Sequence, residues 1–285
     1  MKQYYIERNG LIESSVRLSL DEINNYFIDI YRYFDTKGYF ECALKGIWKP
    51  IPFSDDVEQI LPISLAPSPT VFFTTHIQNK CVWPIYEYAQ YYSEKVLFTV
   101  IEILFDHIAV YDYKKSQLNK SGPQTEFAQH INNILKMYNG GYYLEPTNGF
   151  IMKTPNEALK QQLSYKGQEV PDEVFEKLTT ASSMYYRFDS TMEAKKKAIN
   201  ILADILESER EPLKNLLNTE YGMPKNEHDK LIFGIVNSFS IRHNRADQKN
   251  KYSKEIWYDW MMQYYTSVII TYYKLKIQEE AEISF

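Results

Sequence analysis

Cysteine is scarce: Cys42 and Cys81 are the only two in 285 residues. Neither sits in a paired-ligand spacing, which argues against a disulfide framework or a zinc site and leaves two buried, reduced thiols as the expectation. Long apolar runs are missing too. No stretch approaches the roughly 18–20 residues of a membrane span, and the most apolar piece, VLFTVIEILF, is interrupted by Glu102. The opening MKQYYIERNG has no apolar core of signal-peptide length, so the expected compartment is the cytoplasm, with no membrane partner. Positive charge is in deficit: 32 Lys and Arg face 37 Asp and Glu, a net −5. No global basic field draws in nucleic acid, and any such site must be a local patch. The sequence also lacks a nucleophile–base motif, a Gly-rich phosphate loop and metal-ligand spacing. A small-molecule hydrolase therefore has no support, and neither a cofactor nor a metal is expected.

What is present points to a mainly α fold. Apolar residues make up 44% and charged residues 24%, the balance of a folded chain. The 25 tyrosines suit half-buried helix faces, ring inward and hydroxyl outward. Ser19 and Glu22 form a capping box ahead of Leu20, Ile23, Phe27, Ile30, Tyr31 and Phe34, and Gly38 ends that helix. Residues 48–75, with Pro50, Pro52, Pro62, Pro67 and Pro69, read as one long irregular loop. Helical pattern resumes at WPIYEYAQYYSEKVLFTVIEILFDHIAV, where Ser93 caps a helix with a wide apolar stripe. A polar linker, YDYKKSQLNKSGP, leads to a short amphipathic helix and then to a β-hairpin over 142–152 around Asn148-Gly149.

From residue 155 onward the pattern is helical. STMEAKKKAINILADILESEREPLKNLL reads as one long helix. The last helix, after Ser253, is expected to turn Ile256, Trp257, Trp260, Met261, Tyr264, Val268 and Ile269 inward, with both tryptophans as core anchors. The expected organisation is a mostly helical N-terminal domain, 1–152, ending in the hairpin, and a C-terminal helical bundle, 153–285.

The sharpest polar feature is NSFSIRHNRADQKNKYSKEIWYDW, 237–260. Between 240 and 254, Arg242, Arg245, Lys249, Lys251 and Lys254 face a single acid, Asp247, which is +4 in fifteen residues of an acidic chain. Cations at a helix C-terminus offset its dipole, which accounts for part of the cluster. A phosphate backbone is the other partner such a patch suits. His243 is the local group able to move a proton near neutral pH. Asn237 and Gln248 offer hydrogen bonds. On the long helix, Asn200, Asp204, Glu207 and Glu211 form a polar stripe, either a solvated face or a set from which Asp204 or Glu207 pairs with Arg242.

LSLDEINNYFIDIYRYFDTKGYF, WPIYEYAQYYSEKVLFTVIEILFDHI and NSFSIRHNRADQKNKYSKEIWYDWMMQYY, in this order, resemble a widespread bacterial family. Its C-terminal half is similar to proteins associated with abortive infection and to HEPN helical domains. Those domains are bundles, many of them metal-independent ribonucleases that act as dimers. Their signature is an Arg, usually followed by a polar residue, with a His several positions beyond. The resemblance implies a HEPN-like bundle and an RNA-binding or RNA-cleaving effector in anti-phage defence, working as a homodimer. Arg242, His243 and Asn244 would be catalytic. Asn237, Arg245, Gln248, Lys249 and Lys251 would hold RNA, with Asp204 and Glu207 in support. Gln248 stands where the signature's His is expected, and no His follows His243. Glutamine is no general acid. The alternative is therefore a non-catalytic protein-interaction or regulatory module with a degenerate site and a protein partner.

Overall fold

The computed structural model describes residues 5–9, 16–139, 141–155, 170–221, 227–239, 241 and 252–283. The chain is mainly helical and divides into two compact units, Met1–Thr154 and Pro155–Phe285. No helix among the described residues is long and apolar enough to cross a membrane.

In the first unit, helix α1 (Leu20–Thr36) starts on the capping box. The Ser19 hydroxyl accepts from the Glu22 N–H at 3.3 Å, and the Glu22 carboxylate accepts the Ser19 N–H at 2.8 Å. Ile23, Phe27, Tyr31 and Phe34 are buried, one turn apart along one face. Asn24 is buried beside them and donates to the Tyr92 carbonyl at 2.9 Å. A short helix α2 (Glu41–Lys45) follows.

Residues 48–75 are not one irregular loop. Strands β1 (Ile47–Pro50) and β2 (Val57–Leu61) pair antiparallel, and helix α3 (Pro69–Ile77) starts on a Ser68 cap. The prolines permit this. Pro50 ends a strand of a two-stranded sheet, and Pro69 is the first helical residue, where its missing N–H costs nothing.

Helix α4 (Glu94–His107) buries Leu97, Phe98, Val100, Ile101, Leu104 and Phe105. Glu102 breaks its apolar run for a reason: the carboxylate accepts the Ile151 N–H at 2.7 Å. The expected polar linker is instead a hairpin, β3 (Val110–Asp112) with β4 (Gln117–Asn119). Asp112 builds its turn by accepting the N–H groups of Lys114 and Lys115. The strand residues are exposed or half-buried, so no apolar alternation marked them.

Helix α5 (Ser121–Leu135) packs Phe127 edge-on to Phe34 at 5.3 Å. Its Asn132 clamps Leu144 through bonds to both backbone groups, 2.6 and 3.0 Å. That fixes the expected hairpin, β5 (Tyr142–Leu144) with β6 (Ile151–Lys153). Gly149 in its turn has φ +72°, and a Cβ there would meet the Phe105 ring at 2.5 Å. Only glycine fits. Cys42 is buried and its thiol is pushed up by burial, but Cys81 is exposed, contrary to expectation. It lies in the irregular stretch after α3, and no helix face takes it into the core.

The second unit comprises α6 (Asp172–Tyr186), α7 (Met192–Ser208), α8 (Arg210–Tyr221), α9 (Glu227–Ser238) and α10 (Lys254–Ile283). The expected long helix is two, α7 and α8, broken at Glu209. In a continuous helix the Pro212 ring would strike the Ser208 carbonyl. Glu209 is also held from outside its own helix: the Tyr272 hydroxyl donates to its carboxylate at 2.6 Å, and Lys276 lies at 3.3 Å.

The inner face of α10 is Tyr258, Met261, Met262, Tyr265, Thr266, Ile269, Ile270, Tyr272 and Tyr273. Trp257 and Trp260 are not core anchors, at 38% and 41% exposure, and Ile256 is at 70%. Helical spacing fits both faces of this helix, so periodicity alone could not choose. Tyr265 donates to the Ile232 carbonyl at 2.6 Å and Tyr185 to Asp259 at 2.6 Å, so both bury rings without orphaning hydroxyls.

Candidate functional site

Asn237 lies exposed in the last turn of α9. Asp204 is exposed on α7 and lines a shallow cleft of about 440 Å³ with Lys177, Thr180, Ile201, Ile205 and Ser208. Glu207, one turn on, accepts from Arg210 at 3.2 Å, and that guanidinium lies over the Phe233 ring. Glu211 belongs to α8, so the polar stripe drawn through Asn200, Asp204, Glu207 and Glu211 does not run along one helix. Arg242, His243, Asn244, Arg245, Gln248, Lys249 and Lys251 lie outside the described residues, and with them the pairing of Arg242 to Asp204 or Glu207.

The residues flanking that stretch form a clasp. Tyr252 donates to the Phe239 carbonyl at 2.8 Å, and the two rings meet edge to face at 4.9 Å. Trp257 lies 4.9 Å from the Phe239 ring on its other contact. Trp260 stacks on Tyr264 at 5.0 Å and meets Trp257 edge-on at 5.5 Å. Phe239 and Ile241 are buried. The chain thus passes through one anchored aromatic cluster immediately before and after its most basic segment.

A second polar cluster occupies the first unit, where α3, the C-terminal end of α4 and the start of α5 come together. Ser64, exposed after β2, lies with its hydroxyl 2.9 Å from His107 Nδ1. Phe72 presents its ring edge-on to His107 at 5.1 Å, and His76 stacks on Phe72 at 4.0 Å. His76 Nδ1 lies 2.8 Å from the Phe72 carbonyl. A carbonyl only accepts, so Nδ1 carries a hydrogen in this contact, and Nε2 is the ring nitrogen left for other partners. Lys120 donates to the Asp106 carbonyl at 3.0 Å.

Burial holds the His107 imidazole below its ordinary value; Lys120 and His76 add to the depression and Asp106 opposes it. Burial likewise raises the Asp106 carboxyl, against the pull of His107 and Lys120. A neutral imidazole beside a hydroxyl, a second imidazole and an ammonium is an arrangement suited to proton transfer at an anion. Sequence reading missed it because Ser64 and His107 are 43 positions apart and only folding makes them neighbours. The one local signal was a His at each of two helix C-termini, which ordinary capping explains equally well.

Among the described residues, no group of three or more His, Cys, Asp or Glu is placed to hold a metal ion. The chain matches no family model, no curated protein and no solved structure.

Proposed function

We propose that the protein is a HEPN-like RNA-binding or RNA-cleaving effector of bacterial anti-phage defence, acting as a homodimer through its second unit. The reading rests on the resemblance of NSFSIRHNRADQKNKYSKEIWYDWMMQYY to that family. The observation that supports it best is the clasp of Phe239, Tyr252 and Trp257. A basic stretch that starts and ends on a packed aromatic cluster starts from a rigid base, and the half-exposed indoles of Trp257 and Trp260 beside it are surfaces on which unpaired bases stack.

In this reading Arg242 holds the charge that develops on phosphate, since its planar fork matches phosphate oxygens. His243 transfers the proton, two copies across a dimer supplying base and acid. Asn244 and Gln248 orient the ribose or phosphate. Asn237 and Arg245 add contacts, and Lys249 and Lys251 attract the backbone by charge. Incubating the purified chain with single-stranded RNA tests this. His243→Ala with unchanged melting should lower cleavage by about 10²–10⁴-fold, and Arg242→Ala should do the same. Full activity in both variants would end the catalytic reading.

The exposed row Ile256, Trp257 and Trp260 on α10 favours a second reading, a non-catalytic module that docks a protein partner. Under that reading RNA is neither bound nor cut, and Trp260→Ala abolishes partner capture.

A further inference from the structure

We infer that Ser64, His76, His107 and Lys120 in the first unit form a phosphodiester site that cleaves RNA by transesterification, separate from the 242–251 segment. His107 is half-buried, poised against the Ser64 hydroxyl at 2.9 Å, and shares the Phe72 ring with His76. His76 is exposed, with Nδ1 tied to the Phe72 carbonyl, so its free Nε2 is the nitrogen that meets solvent or substrate. Lys120, also exposed, brings the positive charge and reaches the end of α4 through the Asp106 carbonyl. Two imidazoles against one aromatic ring, with an ammonium bonded to the Asp106 carbonyl next to His107, supply the three parts that metal-free phosphodiester cleavage needs: a base, an acid and a cation for the developing charge.

The substrate class follows from the chemistry. No nucleophile from outside is required if the substrate carries its own, and the 2′-hydroxyl of RNA is such a group, which DNA lacks. The 2′-oxygen attacks phosphorus as its proton passes to His107. The bond from phosphorus to the 5′-oxygen breaks, and that oxygen takes a proton from His76. The products are a 2′,3′-cyclic phosphate and a free 5′-hydroxyl, and the two histidines exchange protons with solvent to reset. His107 serves as the base because its surroundings keep it neutral at pH 7. Burial, Lys120 and His76 all act in that direction, and only Asp106 opposes them. Ser64 is a positioning residue: its hydroxyl fixes the plane of the His107 ring.

The experiment uses the full chain, EDTA and a DNA oligonucleotide carrying one ribonucleotide, with the all-deoxy strand as control. Cleavage at the ribonucleotide alone, leaving a cyclic phosphate, is expected. His107→Asn and His76→Asn, each made in a chain that already carries Arg242→Ala and His243→Ala so that the second-unit site does not contribute, should lower the remaining rate about 10²–10⁴-fold. Failure to cut, a product without cyclic phosphate, or unchanged rates in His76→Asn and His107→Asn overturns the inference. Loss of all cleavage in the chain carrying only Arg242→Ala and His243→Ala overturns it while supporting the site in the second unit. Should His107→Asn unfold, the pH profile of the chain carrying only Arg242→Ala and His243→Ala decides. The groups facing His107 are Ser64, Asp106, Lys120 and His76. The rate must rise with pH through a value below the ordinary histidine figure of roughly 6.5. A rising limb above that figure overturns the assignment.

Discussion

At the scale of single residues, size and spacing did not decide burial on α10. Trp257, Trp260 and Tyr264 follow one helical line, and Tyr258, Met261, Tyr265 and Ile269 another. The second line meets the rest of the bundle because its polar ends have partners there: Tyr265 reaches the Ile232 carbonyl. An indole N–H has one donor to satisfy and a bulkier ring to seat. The two faces should therefore differ in stability when truncated. Tyr265→Ala removes a fully buried ring and should cost about 3–5 kcal/mol, the range for large aromatic to alanine in a core. Trp257→Ala removes a half-exposed ring that packs on Phe239 and meets Trp260 edge-on, and should cost about 0.5–1.5 kcal/mol. Urea denaturation followed by circular dichroism measures both. A Trp257→Ala loss equal to that of Tyr265→Ala would mean the tryptophan face is covered in solution.

At the scale of elements, the capped helices were legible because their signals are local. Ser19 with Glu22, Ser93 and the glycine-turned 142–152 hairpin each sit within a few residues of the structure they specify. The β1–β2 and β3–β4 hairpins were not legible. Their strands are short and largely exposed, so they lack the alternation that marks a half-buried strand. The break between α7 and α8 was written in Pro212 but was overlooked because the apolar line continues through it. Two causes act there, and variants separate them. Pro212→Ala should leave the break in place, since Tyr272 and Lys276 still hold Glu209 outside a continuous helix. Glu209→Ala strands the buried Tyr272 hydroxyl and should cost about 1.5–3 kcal/mol, the value of a hydrogen bond to a charged group. If Pro212→Ala instead raises helix content and Glu209→Ala is neutral, the proline alone makes the break.

At the scale of the whole molecule, charge is the property that most constrains an RNA-directed reading. The chain carries −5 overall, so at long range it repels a polyanion. Attraction must come from the +4 concentrated between residues 240 and 254. That density was fully legible in the sequence, because charge counts need no fold. Which of these cations meet a phosphate was not, because it depends on side-chain direction. Counterion release turns the question into a measurement. A single-stranded RNA neutralised by about four cations should lose affinity with a log–log salt slope near −3, from roughly −0.7 per phosphate contacted. Lys249→Ala and Lys251→Ala should each flatten the slope by about 0.7 and weaken all sequences alike. Lys120→Met, in the first unit, should leave that slope unchanged for an RNA held by the second unit, and should flatten it if the His76–His107 cluster is where the strand docks. A slope near zero in fluorescence-anisotropy titrations from about 50 to 200 mM salt would mean that the cations of this segment meet no phosphate. The protein's partner would then be sought through the tryptophan face of α10.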